Sequence, residues 1–274
     1  MTETISDQDA RRYWQDWRAG RRRSLTGPQG NLALVDTYWP ETDSVFDELP
    51  GTWTVRADRV WLTATAADEV RVGDEVVDGE IPVSHADGTA SPWVQFPGGS
   101  ATVVRRGDQL GIRRFDPKAP AVADFEDVEA FDFAPEWQLT GTFTRFAEAT
   151  TVDYEKMLED SPTPTNVPGE LRFTVAGQEY TTTPMLSGGL LLLVFADETT
   201  GVSTYRPGRF LRVALPDSAP GEPVSVRLDF NRAYLPPCAF SAHFNCPLPP
   251  AGHRIAVAVE AGEKQARLRT SQPS

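Results

Sequence analysis

Between Asp7 and Arg23 aromatic side chains recur at helical spacing, with Tyr13, Trp14 and Trp17 forming one stripe among Arg, Asp and Gln. That pattern predicts an N-terminal α-helix, for which Ser6 or Asp7 supplies a cap and Arg21-Arg22-Arg23 suits the negative C-terminal end. From Leu32 to about Phe146 the period changes to two. Trp53 and Val55, then Val60 and Leu62, flank Ala57-Asp58 as a hairpin. Thr102 to Arg106 and Gln109 to Phe115 flank Gly107-Asp108, where glycine at the first turn position suits a type II′ connection. Trp137, Leu139, Gly141 and Phe143 alternate again.

Residues 152–159 read as a short helical turn, followed by the connector Ser161-Pro162-Thr163-Pro164. Strands resume at Leu171 to Val175, Tyr180 to Thr182 and the aliphatic run Leu190 to Phe195. The sequence Asp197 to Gly201 closes that run and offers Val202 to Tyr205 as its hairpin partner. Phe210 to Leu215, Val224 to Phe230 and Arg254 to Glu260 complete the set. From Leu32 to about Phe146 the strands are separated by Gly, Pro and Asp with no helical pattern between them, which predicts a mostly β protein: an antiparallel sandwich or barrel-like sheets behind one helix. The expected organisation is a helical segment over 1–30, a β domain over 31–150, and residues 166–274 as a second β domain or a continuation of one large domain.

Charge narrows the list of partners. Lys plus Arg total 26 against 39 Asp plus Glu, a net charge of −13. Such a chain repels phosphate backbones, so nucleic acid and anionic membranes are not expected partners. The N-terminus shows no basic stretch followed by an apolar one, and Leu190 to Val194 is too short to span a bilayer. The expected location is the cytoplasm; the oligomeric state is open. The two cysteines, Cys238 and Cys246, are too few for a disulfide framework.

The C-terminal third carries unusual words. They are Tyr205-Arg206-Pro207-Gly208-Arg209-Phe210-Leu211, Leu228-Asp229-Phe230-Asn231-Arg232-Ala233-Tyr234, Pro236-Pro237-Cys238-Ala239-Phe240-Ser241, Cys246-Pro247-Leu248-Pro249-Pro250 and Ala261-Gly262-Glu263-Lys264. Together they resemble the bacterial and archaeal family catalogued as domain of unknown function 1684, as does Arg105-Arg106-Gly107-Asp108 followed by Arg113. The resemblance implies no reaction, cofactor or catalytic set. It also implies Tyr and Asn where this chain has His243 and His253.

The residues suggest three kinds of chemistry. Tyr205, Arg209, Asp229, Asn231, Arg232 and Tyr234 suit recognition of a small polar or anionic ligand, because guanidinium binds carboxylate or phosphate bidentately while Asn and Tyr add directed hydrogen bonds. This is the preferred site, with catalysis left open; an Asp–Arg pair tying a strand end to the Pro-rich loop is the structural alternative. Cys238-x4-His243-x2-Cys246, with His253 beyond, offers a metal-dependent or hydrolytic enzyme, although the spacing matches no established ligand pattern and no metal is expected. A noncatalytic interaction module built on the aromatic helix is the third. No P-loop, His-Glu-x-x-His or Gly-x-Ser-x-Gly motif occurs.

Overall fold

Period-two patterning decides the architecture of the protein, seen here in a computed structural model that describes residues 6–84 and 90–269. About 49% of it is strand and 17% helix, in antiparallel sheets of which none closes into a barrel. The described residues divide into two compact units, one of Arg23–Phe125 and the other joining residues up to Arg22 with Glu126–Arg269.

The helix α1 spans Asp7–Thr26. Ser6 caps it: the Asp9 amide donates to Ser6 Oγ at 3.1 Å, and that hydroxyl donates back to the Asp9 carboxylate at 2.7 Å.

In the unit of Arg23–Phe125 the strands are β1 (Leu34–Tyr38), β2 (Ser44–Phe46), β3 (Leu49–Arg56), β4 (Arg59–Ala64), β5 (Arg71–Val72), β6 (Glu75–Val76), β7 (Gly79–Pro82), β8 (Val94–Phe96), β9 (Gly99–Arg106) and β10 (Gln109–Phe115). They form two sheets, β1-β10-β9-β8-β5-β6 and β2-β3-β4-β7. The core takes the inward positions of both, with Trp53, Val60, Leu62, Val94, Ala101, Leu110 and Ile112 buried together. The β3–β4 turn puts Ala57 and Asp58 both at positive φ, as a type I′ turn requires. In the β9–β10 turn Gly107 alone has positive φ, at 55°. That fits the type II′ expectation.

In the other unit the strands are β11 (Phe125–Ala130), β12 (Gln138–Tyr154), β13 (Thr163–Val175), β14 (Gln178–Thr182), β15 (Met185–Ser187), β16 (Leu190–Asp197), β17 (Arg209–Ala214), β18 (Pro223–Asp229), β19 (Arg254–Ile255) and β20 (Glu263–Leu268). The sheets are β14-β13-β12-β18, β15-β16-β17 and β11-β20, with β19 parallel to β16. The segment 148–169, which its prolines suggest as a connector, is occupied by the far halves of β12 and β13, and Pro164 is paired with Asp153. Residues 152–154 are therefore strand, not the expected helical turn. Beside the irregularity between Arg145 and Thr150, a Cβ on Gly169 would meet the Thr144 carbonyl at 2.3 Å. Only glycine fits there.

Strand β16 is buried on both faces. Leu191, Leu193 and Phe195 enter one core with Phe143, Leu171, Leu211, Leu228 and Phe230; Leu192 and Val194 enter another with Tyr154, Val167, Phe210 and Cys246. Each such side chain contributes about 1.5–3 kcal/mol, which accounts for an unbroken apolar run where other strands alternate.

Two expectations are corrected. Val202 to Tyr205 is not the partner of β16; that partner is β17, in register from Leu190–Ala214 to Phe195–Arg209. Beyond Ile255 the segment leaves the sheet.

Candidate functional site

Strand β18 lies antiparallel to β12 with Gln138 opposite Asp229 and Leu139 opposite Leu228. Val226 and Leu228 point into the core, so Arg227 and Asp229 take the other face. A 3-10 turn over Phe230–Arg232 then swings Arg232 back toward Asp229. In β17 the same alternation buries Leu211 and Val213 and exposes Arg212. The result is a cleft of about 200 Å³ lined by Ala10 and Tyr13 of α1, Gln138, Arg212, Arg227, Asp229 and Arg232.

Its charges are incompletely matched. Asp229 Oδ2 accepts from Gln138 Nε2 at 3.0 Å, and stands 3.7 Å from Arg232 Nε and 4.0 Å from an Arg227 terminal nitrogen. Those last two are ion-pair separations, longer than hydrogen bonds. Arg232 Nε is shielded from solvent and has no hydrogen-bond acceptor among the described residues. Arg212 lies over the Tyr234 ring, 5.9 Å from its centroid.

Of the six residues singled out from the sequence, Asp229 and Arg232 line this cleft. The other four lie elsewhere. Arg209 is 0% exposed. Its terminal nitrogens donate to Asp197 Oδ2 at 2.6 Å, to the Val259 carbonyl at 2.8 Å and to the Ala261 carbonyl. Asn231 is equally buried: its amide donates to the Ala134 carbonyl and accepts from the Ala134 N–H, both at 2.9 Å, and donates to Asp229 Oδ1 at 3.1 Å. Trp14 Nε1 donates to the Asn231 carbonyl at 3.0 Å, tying α1 to this turn. Tyr234 pairs its backbone with Phe210, and burial pushes its phenol up. Tyr205 donates to the Cys238 carbonyl at 3.1 Å.

Behind the turn, Glu263 is a buried carboxylate held by Arg21 Nε at 3.1 Å and the Leu235 amide at 2.7 Å. Arg21 also lies over the rings of Tyr234 and Phe240 and donates to the Leu235 carbonyl. These bonds fasten α1 to the strand end.

The Cys238–Cys246 loop is not arranged as a metal centre. Among the described residues no three His, Cys, Asp or Glu side chains converge to hold an ion. His253 has both ring nitrogens engaged: Nε2 accepts from the Thr183 amide at 2.9 Å, which leaves Nδ1 to donate to the Val194 carbonyl at 2.9 Å. Burial lowers its pKa from the usual value, so it is held neutral.

Arg212, Arg227, Gln138 and Tyr13 escaped the sequence reading. The signal for Arg227 was available, since it has the same strand parity as Asp229. So was the warning about Arg209, whose parity matches Leu211 and Val213.

No helix among the described residues is long and apolar enough to cross a membrane. No curated protein matches the chain. An uncharacterised protein of Haloarcula marismortui, solved in solution by NMR, is 30% identical over 51% of this chain and 77% of its own, with a TM-score of 0.42. Residues 123–264 match the family described as protein of unknown function (DUF1684), a span that takes in all six residues singled out, the cysteine pair and β11 to β19 while leaving out α1. The chain belongs to the DUF1684 family.

Proposed function

We propose that the protein binds a small anionic molecule, a carboxylate or phosphate compound, in the cleft of Arg212, Arg227 and Arg232. The observation that carries this reading is a local reversal of charge: three guanidiniums face one carboxylate in a chain of net charge −13. Asp229 cannot neutralise all three, and Gln138 already occupies one of its oxygens. A buried donor left without an acceptor costs about 1–3 kcal/mol. A ligand oxygen at Arg232 Nε would recover that cost. Planar guanidiniums then grip the anion through paired N–H bonds.

At about 200 Å³ the cleft is smaller than the roughly 300–1,000 Å³ of pockets that enclose drug-sized ligands. It suits one phosphate or a short carboxylic acid. The reading is one of binding, and no catalytic step is assigned to it.

Calorimetry and thermal-shift measurements with inorganic phosphate, glycerol phosphate and citrate test it. At least one should stabilise the parent protein. Arg227→Ala and Arg232→Ala should weaken that binding roughly ten- to a hundredfold, the equivalent of a lost charge-assisted bond of about 1.5–3 kcal/mol. Both side chains are about half exposed, so melting temperatures without ligand should hardly change. A parent indifferent to all three anions, or variants that bind as well as the parent, would sink the proposal.

A further inference from the structure

In the core cluster that also takes in Tyr234, the Pro-rich loop brings the chain's two thiols together. Cys246 Sγ accepts the Cys238 backbone N–H at 3.2 Å. No disulfide joins them. Cys246 is buried among Tyr154, Val167, Leu192 and Phe210, while Cys238 is only partly covered. Prolines at 236 and 237 precede the first thiol, and prolines at 247, 249 and 250 follow the second. Fixed φ angles at those positions hold the loop in place before any bond forms.

We propose that Cys238 and Cys246 are a reactive dithiol that hydroperoxides oxidise to one intramolecular disulfide, with Cys238 the thiol that attacks the peroxide and Cys246 the resolving one. The division of roles follows from access. A peroxide can reach the partly exposed Cys238, whereas Cys246 is enclosed. Reactivity also follows thiolate character. The neighbouring Cys246 sulfur holds the Cys238 thiol below its ordinary range despite burial.

The chemistry balances. The Cys238 thiolate attacks one peroxide oxygen, the O–O bond breaks, and hydroxide leaves to take up a proton as water. The resulting sulfenic acid is then attacked by Cys246 sulfur; the S–O bond breaks, the S–S bond forms, and a second water departs. Two thiols and one hydrogen peroxide give one disulfide and two waters. Each sulfur gives up one electron and the peroxide takes both. A small dithiol reductant reverses the step by thiol–disulfide exchange.

The pair lies outside the arginine cleft, so this proposal stands or falls independently of anion binding. The test exposes the folded full-length protein to stoichiometric hydrogen peroxide, then denatures it in alkylating reagent and measures its mass. The expected product is a monomer lighter by two hydrogens, with neither cysteine alkylated and full reversal by dithiothreitol. In Cys246→Ala, Cys238 should stop at a sulfenic acid that dimedone captures; in Cys238→Ala, dimedone should find no adduct at Cys246. The parent's own mass decides should a variant fail to fold. Two alkylated thiols after peroxide, a disulfide-linked dimer, or Cys238 driven to sulfinic acid beside an untouched Cys246 would each overturn the assignment.

Discussion

Arg209 illustrates how one buried charge organises its surroundings. It pairs with Asp197 at 2.6 Å, with both side chains at 0% exposure, and it also bonds the carbonyls of Val259 and Ala261. Asp197 in turn accepts from the Thr199 amide at 2.6 Å. Burial lowers the Arg209 pKa and the Asp197 carboxylate opposes that shift, so each charge depends on the other. Arg209→Ala should cost about 3–5 kcal/mol, because Asp197 and the carbonyls of Val259, Ala261 and Glu263 would be left without their donor. Urea unfolding of parent and variant measures this; a loss under about 1 kcal/mol would contradict a structural role. His253 makes the pH-dependent counterpart. Its folded pKa is depressed below 6.5, so the unfolded chain binds the extra proton first. Its contribution is complete above the unfolded value and is lost as pH falls through the interval down to the folded one. Stability should therefore start to drop as pH falls below about 6.5, and His253→Gln should remove that slope in parallel urea titrations. A slope unchanged in the variant would assign it to other groups.

At the scale of elements, the sequence disclosed several of the strands in which one face is buried, β4 and β18 among them. The hairpins at Ala57-Asp58 and Gly107-Asp108 were legible because turn chemistry and alternation agree there. Val202 to Tyr205 misled because Thr199, Thr200 and Thr204 satisfy Asp197 and the local backbone through side chains, which builds a turn from β-prone residues. Beyond Ile255 the Ala256 amide turns to the Tyr180 hydroxyl at 3.1 Å instead of continuing the ladder. Strand β20 was missed since Glu263–Leu268 has almost no apolar alternation to betray it. The cleft was half legible: parity within β18 was visible, but the register that sets Gln138 against Asp229, and the helix that brings Tyr13, are long-range facts. The family match also omits α1, yet Trp14 is buried against Phe133 and bonded to Asn231. Trp14→Ala should destabilise the unit by about 3–5 kcal/mol, as large core truncations do. Chemical denaturation can check it, and a loss within about 0.5 kcal/mol would mean that α1 is a dispensable cover.

Over the whole molecule, acidity and the arginine cleft pull in different directions. A net charge of −13 gives the body of the chain a field that repels other anions. In the proposed binding mode the three cleft arginines would offer a small anion a local reversal of that field. Salt confines such fields to about 8 Å at physiological ionic strength, so in that mode the cleft's attraction would be local and a long anion would meet the body's repulsion.

The two-sided burial of β16 has a consequence in time as well as in space. Leu190 to Phe195 is an apolar, β-prone window without charge or proline, the composition of self-associating segments. During synthesis it emerges beside β15, with which Gly188 and Gly189 join it in a tight hairpin. Its other edge and much of its covering wait for β17, β18 and β19, the last at Arg254. At roughly 5–20 residues per second, that wait lasts several seconds. The sticky strand must survive it half-covered. Refolding from urea should accordingly lose yield as protein concentration rises, with light scattering reporting aggregates. Leu190→Lys, at the less buried start of the strand, should restore much of that yield while leaving the native sheet intact. Yields independent of concentration would mean that another element shields β16 before its last partner arrives.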